Sequence, residues 1–344
     1  MLGNDPEFFI FNNENKPVPA WKFFPPQKEK VAALTAEGDA SAWYFRDGYA
    51  VEINTVPGTC REQMTYRVHK ALRAIIEKLP PGYTLKTLAT IRISEHDLKE
   101  APPDGQVFGC KPSINAYTGK ESVVDLDAMS HPFRYAGGHM HHSYRAPYLR
   151  DGAFNTRDTK LMFVKLCDLF IGLPFTYLYS SKDEKLRRKY YGRAGECRLP
   201  TYSGSYHGVE YRVPSPKLWN NHCLASMFFG VMRSIVAQYE KLSAQYDPKW
   251  EKPIQDAINN CCVPLSMIQT VSGFYTPALI DRLKRDKSFS KFTFLRPNHI
   301  STRAFTEYVH NTYPKTSVPA LFAYEKVSWG IGPSGTVRIT NPLV

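Results

Sequence analysis

Residues 192–216 read Gly-Arg-Ala-Gly-Glu-Cys-Arg-Leu-Pro-Thr-Tyr-Ser-Gly-Ser-Tyr-His-Gly-Val-Glu-Tyr-Arg-Val-Pro-Ser-Pro, and the rest of the chain is organised around them. The second half of this stretch alternates with the period of a β-strand. Glu210 and Arg212 therefore share one face, and the apolar side chains between and beside them share the other. An anion and a cation on one pleated face can reach the same bound group.

Two further arginines, Arg193 and Arg198, lie just upstream. Guanidinium groups bind phosphate or carboxylate oxygens two at a time, and a single carboxylate among them suits a bridging metal ion. A half-buried strand with an ion-paired solvent face would have the same pattern. On this stretch alone both interpretations remain open.

The totals indicate a globular protein larger than one average domain. The chain has 344 residues, of which 43% are hydrophobic and 22% charged, enough for a substantial core. We expect one large domain with an extension, or two domains, and place the boundary at Asp247-Pro248. The predicted units are a catalytic domain over 1–246 and a helical accessory region over 247–344.

The net charge of +12 favours an anionic partner. Lysine and arginine are scattered along the chain, so nucleic acid is a possible but not an expected partner. The seven cysteines form no CxxC pair, which is typical of reduced thiols in a cytoplasm. The sequence shows neither a signal peptide nor an 18-residue apolar run, so the expected location is cytoplasmic, without a membrane span. The oligomeric state is not predicted.

Three carboxylates lie on predicted strands ahead of this stretch. Asp5 and Glu7 share one face of the aromatic strand predicted over 3–11. At 4 Å and an effective dielectric constant near 20, two such charges repel by roughly 4 kcal/mol. In a central strand, a cation must relieve that repulsion. Glu52 lies on the second strand of a hairpin for which Asp47-Gly48 is the predicted turn.

Two histidines follow a glycine pair farther along the chain. His139 and His141 share one face of a predicted strand, and Gly137-Gly138 lets another group approach the backbone closely. Such a pattern favours a ligand site over two structural histidines. A further strand is predicted over 84–93, and helices are predicted near 61–78, 156–179, 218–245, 251–262, 276–287 and 301–311.

Four motifs, taken in order, resemble the catalytic domain of the glutamine synthetase-like carboxylate–amine ligase superfamily. Residues 3–11 are similar to its Gly-Pro-Glu-Pro-Glu-Phe-Phe-Leu-Phe strand, and Glu52 takes the place of a further metal-binding glutamate. Residues 138–143 resemble Gly-Met-His-x-His-x-Ser. Residues 193–200 and 209–214 resemble its paired Arg-Ser-Ala-Ser-x-Arg-x-Pro and Glu-x-Arg-x-Pro segments. The opening Gly-x-Asp-Pro-Glu and the Gly-Gly-His-x-His form also resemble the phage-encoded COOH·NH2 ligase type 2 family.

The resemblance implies an α+β fold: a curved, mainly antiparallel sheet forms a funnel, backed by helices, and a mostly helical extension follows. It also implies ATP and two Mg²⁺ or Mn²⁺ ions as cofactors. The implied ligands of the first ion are Glu7 and Glu52, and those of the second are Asp5, His139 and Glu210. His141 and Arg198 would contact nucleotide phosphates. Arg193 and Arg212 would bind the γ-phosphate and the substrate carboxylate.

This sequence departs from the family pattern in three places. The first acid is aspartate, a further expected acid falls near Cys60 so that Glu62 or water would have to serve, and the family's small preceding β-domain is missing. The implied activity is that of an ATP-dependent amidoligase, which joins a carboxylate to an amine through an acyl phosphate. The alternatives are a phosphagen-kinase-like phosphotransferase of the same fold, or a catalytically inactive anion-binding protein.

Overall fold

Strand β1 (Leu2–Phe11) joins most of the sheet together. This structure is a computed structural model. It describes residues 1–34, 40–58, 61–106, 113–122, 126–145, 156–202, 206–220, 222–264, 266–267, 328–331 and 336–340. The further strands are β2 (Pro17–Val18), β3 (Val31–Leu34), β4 (Ala40–Asp47), β5 (Ala50–Thr55), β6 (Thr84–Lys86), β7 (Thr90–Arg92), β8 (Ser113–Asn115), β9 (Glu121–Ser122), β10 (Phe133–Tyr135), β11 (Gly138–Arg145), β12 (Glu196–Arg198), β13 (Thr201–Tyr202), β14 (Tyr206–Tyr211), β15 (Ser328–Ile331) and β16 (Thr336–Thr340).

The helices are α1 (Arg61–Lys78), α2 (Glu95–Glu100), α3 (Arg157–Cys167), α4 (Leu173–Leu178), α5 (Lys182–Arg187), α6 (His222–Ala237), α7 (Tyr239–Ala244) and α8 (Glu251–Asn259). A π-helical segment, Asp168–Gly172, joins α3 to α4. The predicted helices near 276–287 and 301–311 lie outside the described residues.

Within the described residues, fourteen strands form one sheet with the order β15-β16-β6-β1-β11-β14-β12-β8-β9, and the other members attach beside this path. The ladders between named strands are antiparallel, and β7 and β10 form a separate pair. The predicted α+β class, with a mainly antiparallel sheet backed by helices, is therefore confirmed.

One face of the sheet packs against the helices. Phe8, Val51, Met140, Val209 and Tyr211 are fully buried on this face and belong to the main core. Helices α1, α3 and α6 supply the opposing surface. Because pleating alternates the side chains, their neighbours in sequence point to the other face of the sheet. That second face carries the polar residues.

Two predicted elements are each divided into two. The strand expected over 84–93 is divided into β6 and β7, because Asp183 forms two hydrogen bonds at the break. Its side chain accepts one from the backbone N–H of Ala89, and its carbonyl oxygen accepts one from the hydroxyl of Thr90. The helix expected over 218–245 breaks at Gln238 between α6 and α7. Ser234 donates its hydroxyl to the carbonyl oxygen of Gly230, a contact that often bends a helix.

The continuous helical stretch Arg157–Leu178 is long and apolar enough to cross a membrane, by length and composition alone. In its most apolar window, 83% is buried inside the protein. A core helix passes the same test, and Phe163, Leu166 and Ile171 of this stretch belong to the main core.

The chain beyond residue 246 contributes to the same structure. Ile254 and Ile258 of α8 lie in the main core, Asn259 accepts a hydrogen bond from the backbone N–H of Ala194, and β16 pairs with β6. The division into 1–246 and 247–344 remains a prediction.

Candidate functional site

Strand register collects the polar residues on one face of the sheet. Asp5 of β1 lies opposite His139 of β11, and His141 lies opposite Glu210 of β14. Glu7 lies opposite Glu52 of β5. Directly paired residues in an antiparallel ladder point to the same face, so residues far apart in sequence become neighbours.

A first group of carboxylates consists of Glu7, Asp47 and Glu52, each of which has an oxygen within 4.8 Å of the others. Glu7 accepts a hydrogen bond of 2.6 Å from the backbone N–H of Gly137, and Glu52 accepts one of 2.6 Å from the side chain of Asn54. These two hydrogen bonds orient the carboxylates but do not neutralise them.

The electrostatics of this first group oppose full ionisation. Burial, followed by the charge of Asp47, holds the pKa of Glu7 well above its usual range. Burial and then the charges of Asp5, Asp47 and Glu7 do the same to the pKa of Glu52. The pKa of Asp47 is also raised, by burial and then by Asp5. A bound cation would remove this penalty.

A second group surrounds Asp5. Its Oδ1 atom lies 3.0 Å from Nδ1 of His139 and 3.0 Å from Nε2 of His141. Nδ1 of His139 is 3.6 Å from Oε1 of Glu210. Burial alone would raise the pKa of Asp5, but the two histidines outweigh it and hold that pKa below its usual range.

His141 thus lies nearer to the possible metal ligands than the resemblance implies. Ligand atoms of Asp5, His141 and Glu210 are all within 4.8 Å of one another, whereas the resemblance assigns His139 to the metal and His141 to phosphate. Both imidazoles contact Asp5. Either histidine can therefore complete this group.

Two of the three predicted arginines contact Glu210. Nη1 of Arg212 lies 2.5 Å from Oε1 of Glu210, and this guanidinium is fully buried. Nη1 of Arg198 lies 3.3 Å from the same oxygen, with 27% of its side chain exposed. Burial and the Asp5 charge would raise the pKa of Glu210, but Arg212 and the two histidines lower it. Glu210 is therefore held ionised.

Arg193 has different partners. Its side chain is exposed and donates to the carbonyl oxygens of Arg188 and Lys189. The guanidinium of Arg193 therefore lies against the C-terminal end of α5 and the turn that follows it. Its predicted contact with a γ-phosphate remains a prediction.

Asp47 joins the site because the hairpin turn is shifted by one residue from the predicted position. The turn residues are Gly48 and Tyr49, since Asp47 pairs with Ala50, and Gly48 takes the left-handed conformation with φ of +52°. Phe45 pairs with Glu52, so Asp47, two residues later, points to the Glu52 side. Cys60 lies outside the described residues, as does the side chain of Glu62.

Tyr191 is a second residue that the sequence patterns did not single out. Its hydroxyl lies 2.6 Å from Nε2 of His139 and accepts a hydrogen bond of 2.9 Å from Nη2 of Arg212. It precedes Gly192 in a turn rather than a strand, so no periodicity connects it with the histidine. Its proximity to Arg193 in sequence was the only available clue.

The donor set fits hard divalent cations. Carboxylate oxygens suit Mg²⁺ or Mn²⁺, and an imidazole nitrogen in the second group favours Mn²⁺ over Mg²⁺ there. The buried like charges of the first group would be relieved by such an ion. The two groups share neighbouring strands, so two ions could be held on one sheet face.

No protein-family model and no curated protein matches the chain. Among solved structures, the chain is similar to a bifunctional glutathione synthetase from Pasteurella multocida, with 9% identity and a TM-score of 0.47. The similarity covers 100% of this chain and 58% of that one, so the chain spans less than two thirds of that protein. Neither fold nor function is assigned from this similarity.

Proposed function

We propose that this protein is an ATP-dependent carboxylate–amine ligase of the glutamine synthetase-like kind. One observation carries the proposal: a single sheet face holds four carboxylates from the predicted set, two histidines and two arginines that contact the same glutamate. That is the donor set needed to hold metal-bound triphosphate beside a second anion.

In this proposal Glu7, Asp47 and Glu52 hold one divalent ion. Asp5 and Glu210, with His139 or His141, hold the other. Such ions would supply charge neutralisation on the phosphates and orient them for transfer. Asp47 takes the place of the acid expected near Cys60, and it needs no contribution from Glu62.

The two arginines that contact Glu210 have different roles in this proposal. Arg198 is partly exposed beside Glu210, so its guanidinium can bind an incoming phosphate or carboxylate. Arg212 is fully buried and bound to Glu210 and Tyr191, which makes it a fixed positive charge behind the glutamate. Arg193 stays a candidate for the γ-phosphate.

The proposed reaction has two steps. A carboxylate oxygen of the substrate attacks the γ-phosphorus atom of ATP, the bond to the bridging oxygen breaks, and ADP leaves. An amine nitrogen then attacks the acyl carbon, phosphate departs with the former carboxylate oxygen, and the amine loses a proton to a base. The protein residues bind, orient and neutralise charge.

The test is ATP turnover that requires both a carboxylate and an amine, with hydroxylamine as the amine surrogate. We expect equal amounts of ADP and hydroxamate, and transfer of ¹⁸O from a labelled carboxylate into phosphate. Glu210→Ala should lose the activity, whereas Glu240→Ala, an exposed glutamate on α7, should keep it. Phosphorylation of a guanidine without a carboxylate would instead favour the kinase alternative. Absence of turnover over a broad panel of acids and amines would contradict the proposal.

A further inference from the structure

The side chain of Tyr191 connects the two halves of the polar face. It is buried, with 8% of the residue exposed, and its hydroxyl reaches both Nε2 of His139 and Nη2 of Arg212. One side chain therefore contacts a candidate metal ligand and the arginine that binds Glu210.

The ring of Tyr191 is held in place by cations. The guanidinium carbon of Arg187 lies 4.7 Å from the ring centre, and that of Arg212 lies 5.0 Å from it. Arg187 is itself fixed, because it donates to the carbonyl oxygens of Arg212, Val213 and Pro214. The hydroxyl of Tyr191 therefore has little freedom to leave His139.

The adjacent turn adds to this rigidity. Gly192 has φ of +65°, a conformation that favours glycine. A Cβ atom at this position would lie 2.1 Å from Nη1 of Arg187. The backbone after Tyr191 is thus packed directly on the arginine that its ring contacts.

Contact with Tyr191 leaves one nitrogen of His139 for other ligands. Nε2 is engaged by the hydroxyl, and Nδ1 is directed at Asp5 and Glu210 at 3.0 and 3.6 Å. His141 presents the opposite nitrogen, Nε2, to Asp5. The two imidazoles thus approach the same carboxylate through different atoms.

We propose that Tyr191 is a positioning residue, which fixes His139 so that a divalent ion at the Asp5 group is bound through Nδ1 of that histidine and which holds Arg212 against Glu210. This inference rests on the metal site of the proposed function. A hydroxyl suits the task because its oxygen can accept a hydrogen bond from the Nε2–H group of His139, which leaves the lone pair of Nδ1 for the ion. Hydrogen bonds of this kind orient metal-binding histidines and strengthen their ligation.

The experiment measures Mn²⁺ binding to the full chain by electron paramagnetic resonance. We expect Tyr191→Phe to weaken the affinity by about 10–100-fold, as loss of such a partner usually does. Tyr135→Phe is the matched control: its hydroxyl also lies 2.6 Å from a histidine Nε2, that of His131, but neither residue belongs to the carboxylate groups. It should leave Mn²⁺ affinity unchanged.

A second readout reports on His139 itself. In ¹⁵N-histidine-labelled protein, Zn²⁺ as a diamagnetic probe should shift the Nδ1 resonance of His139 to the metal-bound range, while Nε2 keeps its proton. This measurement on the unsubstituted chain stands even if Tyr191→Phe fails to fold. A metal-induced shift at Nε2 would overturn the inference.

The outcomes separate the two proposals. Absence of Mn²⁺ binding to the unsubstituted chain would contradict the proposed metal site, and the inference with it. Binding that Tyr191→Phe leaves unchanged would contradict the role of Tyr191 alone. Equal losses in Tyr191→Phe and Tyr135→Phe would indicate a general effect on folding and would also reject a specific role.

Discussion

Asp168 lies at the start of the π-helical segment, on the helix side of the sheet, and is fully buried. Its carboxylate accepts hydrogen bonds from the hydroxyls of Tyr211 and Tyr117, at 2.7 and 2.9 Å. Burial outweighs these hydrogen bonds and raises the pKa of Asp168 to about 7. Asp168 thus supports Tyr211, the last residue of β14, which lies between Glu210 and Arg212 in the sequence.

This raised pKa predicts a pH-dependent stability. The folded protein keeps a proton on Asp168 at pH values where the unfolded chain has lost it. The stabilisation of the folded state that comes from this proton is therefore complete below about pH 4 and is lost as the pH rises towards 7. The change amounts to a few kcal/mol, on the order of 4 at most. Urea unfolding at pH 4.5, 6 and 7.5 would measure it.

The control for this experiment is Asp168→Asn, which is neutral throughout. We expect the difference in unfolding free energy between the original chain and this variant to fall with rising pH and to level off above about pH 7. Glu7, Glu52 and the other carboxylates contribute the same pH dependence to the unfolding free energy of both proteins, so their contribution cancels in this difference. A constant difference across this range would show that Asp168 is ionised in the folded state.

At the scale of the strand, Gly138 opens β11 where the segment after β14 crosses it. A Cβ atom on Gly138 would lie 2.2 Å from the carbonyl oxygen of Ser215, and the backbone N–H of Gly138 donates to Pro214. The predicted close approach at the glycine pair is therefore made here by another part of the backbone. A backbone atom cannot move aside as a flexible side chain can.

Gly138→Ala should therefore destabilise the protein by about 3 kcal/mol or more, the upper end of the usual cost of overpacking, because the atom in the way belongs to the backbone. Gly48→Ala is the control, because a Cβ atom there meets no other atom within 4 Å and only its φ of +52° is unfavourable. We expect about 1–2 kcal/mol from that strain. Urea unfolding of both variants gives the comparison, and equal losses would refute the packing argument.

The β4–β5 hairpin shows which features of the site could not be predicted from the sequence. Alternation is enough to group Asp5 with Glu7 and Glu210 with Arg212, because adjacent positions in a strand must point to opposite faces. It does not fix the register between strands or the limits of a turn. Asp47 was missed because the predicted turn included it, whereas in the structure Asp47 pairs with Ala50 and ends β4.

Other features depend on contacts that no local pattern encodes. Tyr191 reaches His139 from a turn, and Asp183 divides the strand expected over 84–93 by hydrogen bonding to Ala89 and Thr90. The apolar periodicity of α1 needs no such information, and its predicted limits agree with Arg61–Lys78. Local periodicity therefore predicts elements, and tertiary contacts decide where they are interrupted.

For the whole molecule, the acidic groups predict stabilisation by divalent ions. Mn²⁺ that binds only the folded protein should add about 2.7 kcal/mol at one hundred times its dissociation constant, with a corresponding rise in Tm. Asp47→Asn should reduce this rise. Asp104→Asn should not, because Asp104 pairs with Arg46 on the surface and lies outside both groups. Scanning calorimetry with Mn²⁺ and with a chelator would check all three proteins, and an unchanged rise in Asp47→Asn would exclude that residue as a ligand.

The long sequence separation between β1 and β11 has a consequence during synthesis on the ribosome. About 130 residues lie between Asp5 and His139, which at about 5–20 residues per second means a delay of roughly 7–27 seconds. Strands β2, β5 and β6 emerge early enough to pair with the second half of β1, and Gly58 to pair with Leu2, but the edge of residues 2–6 that faces β11 stays open until β11 is made. Asp5 places a negative charge on this unpaired strand edge, and such a charge disfavours pairing with other nascent chains. We therefore expect the same carboxylate that later meets the histidines to reduce self-association of the nascent chain.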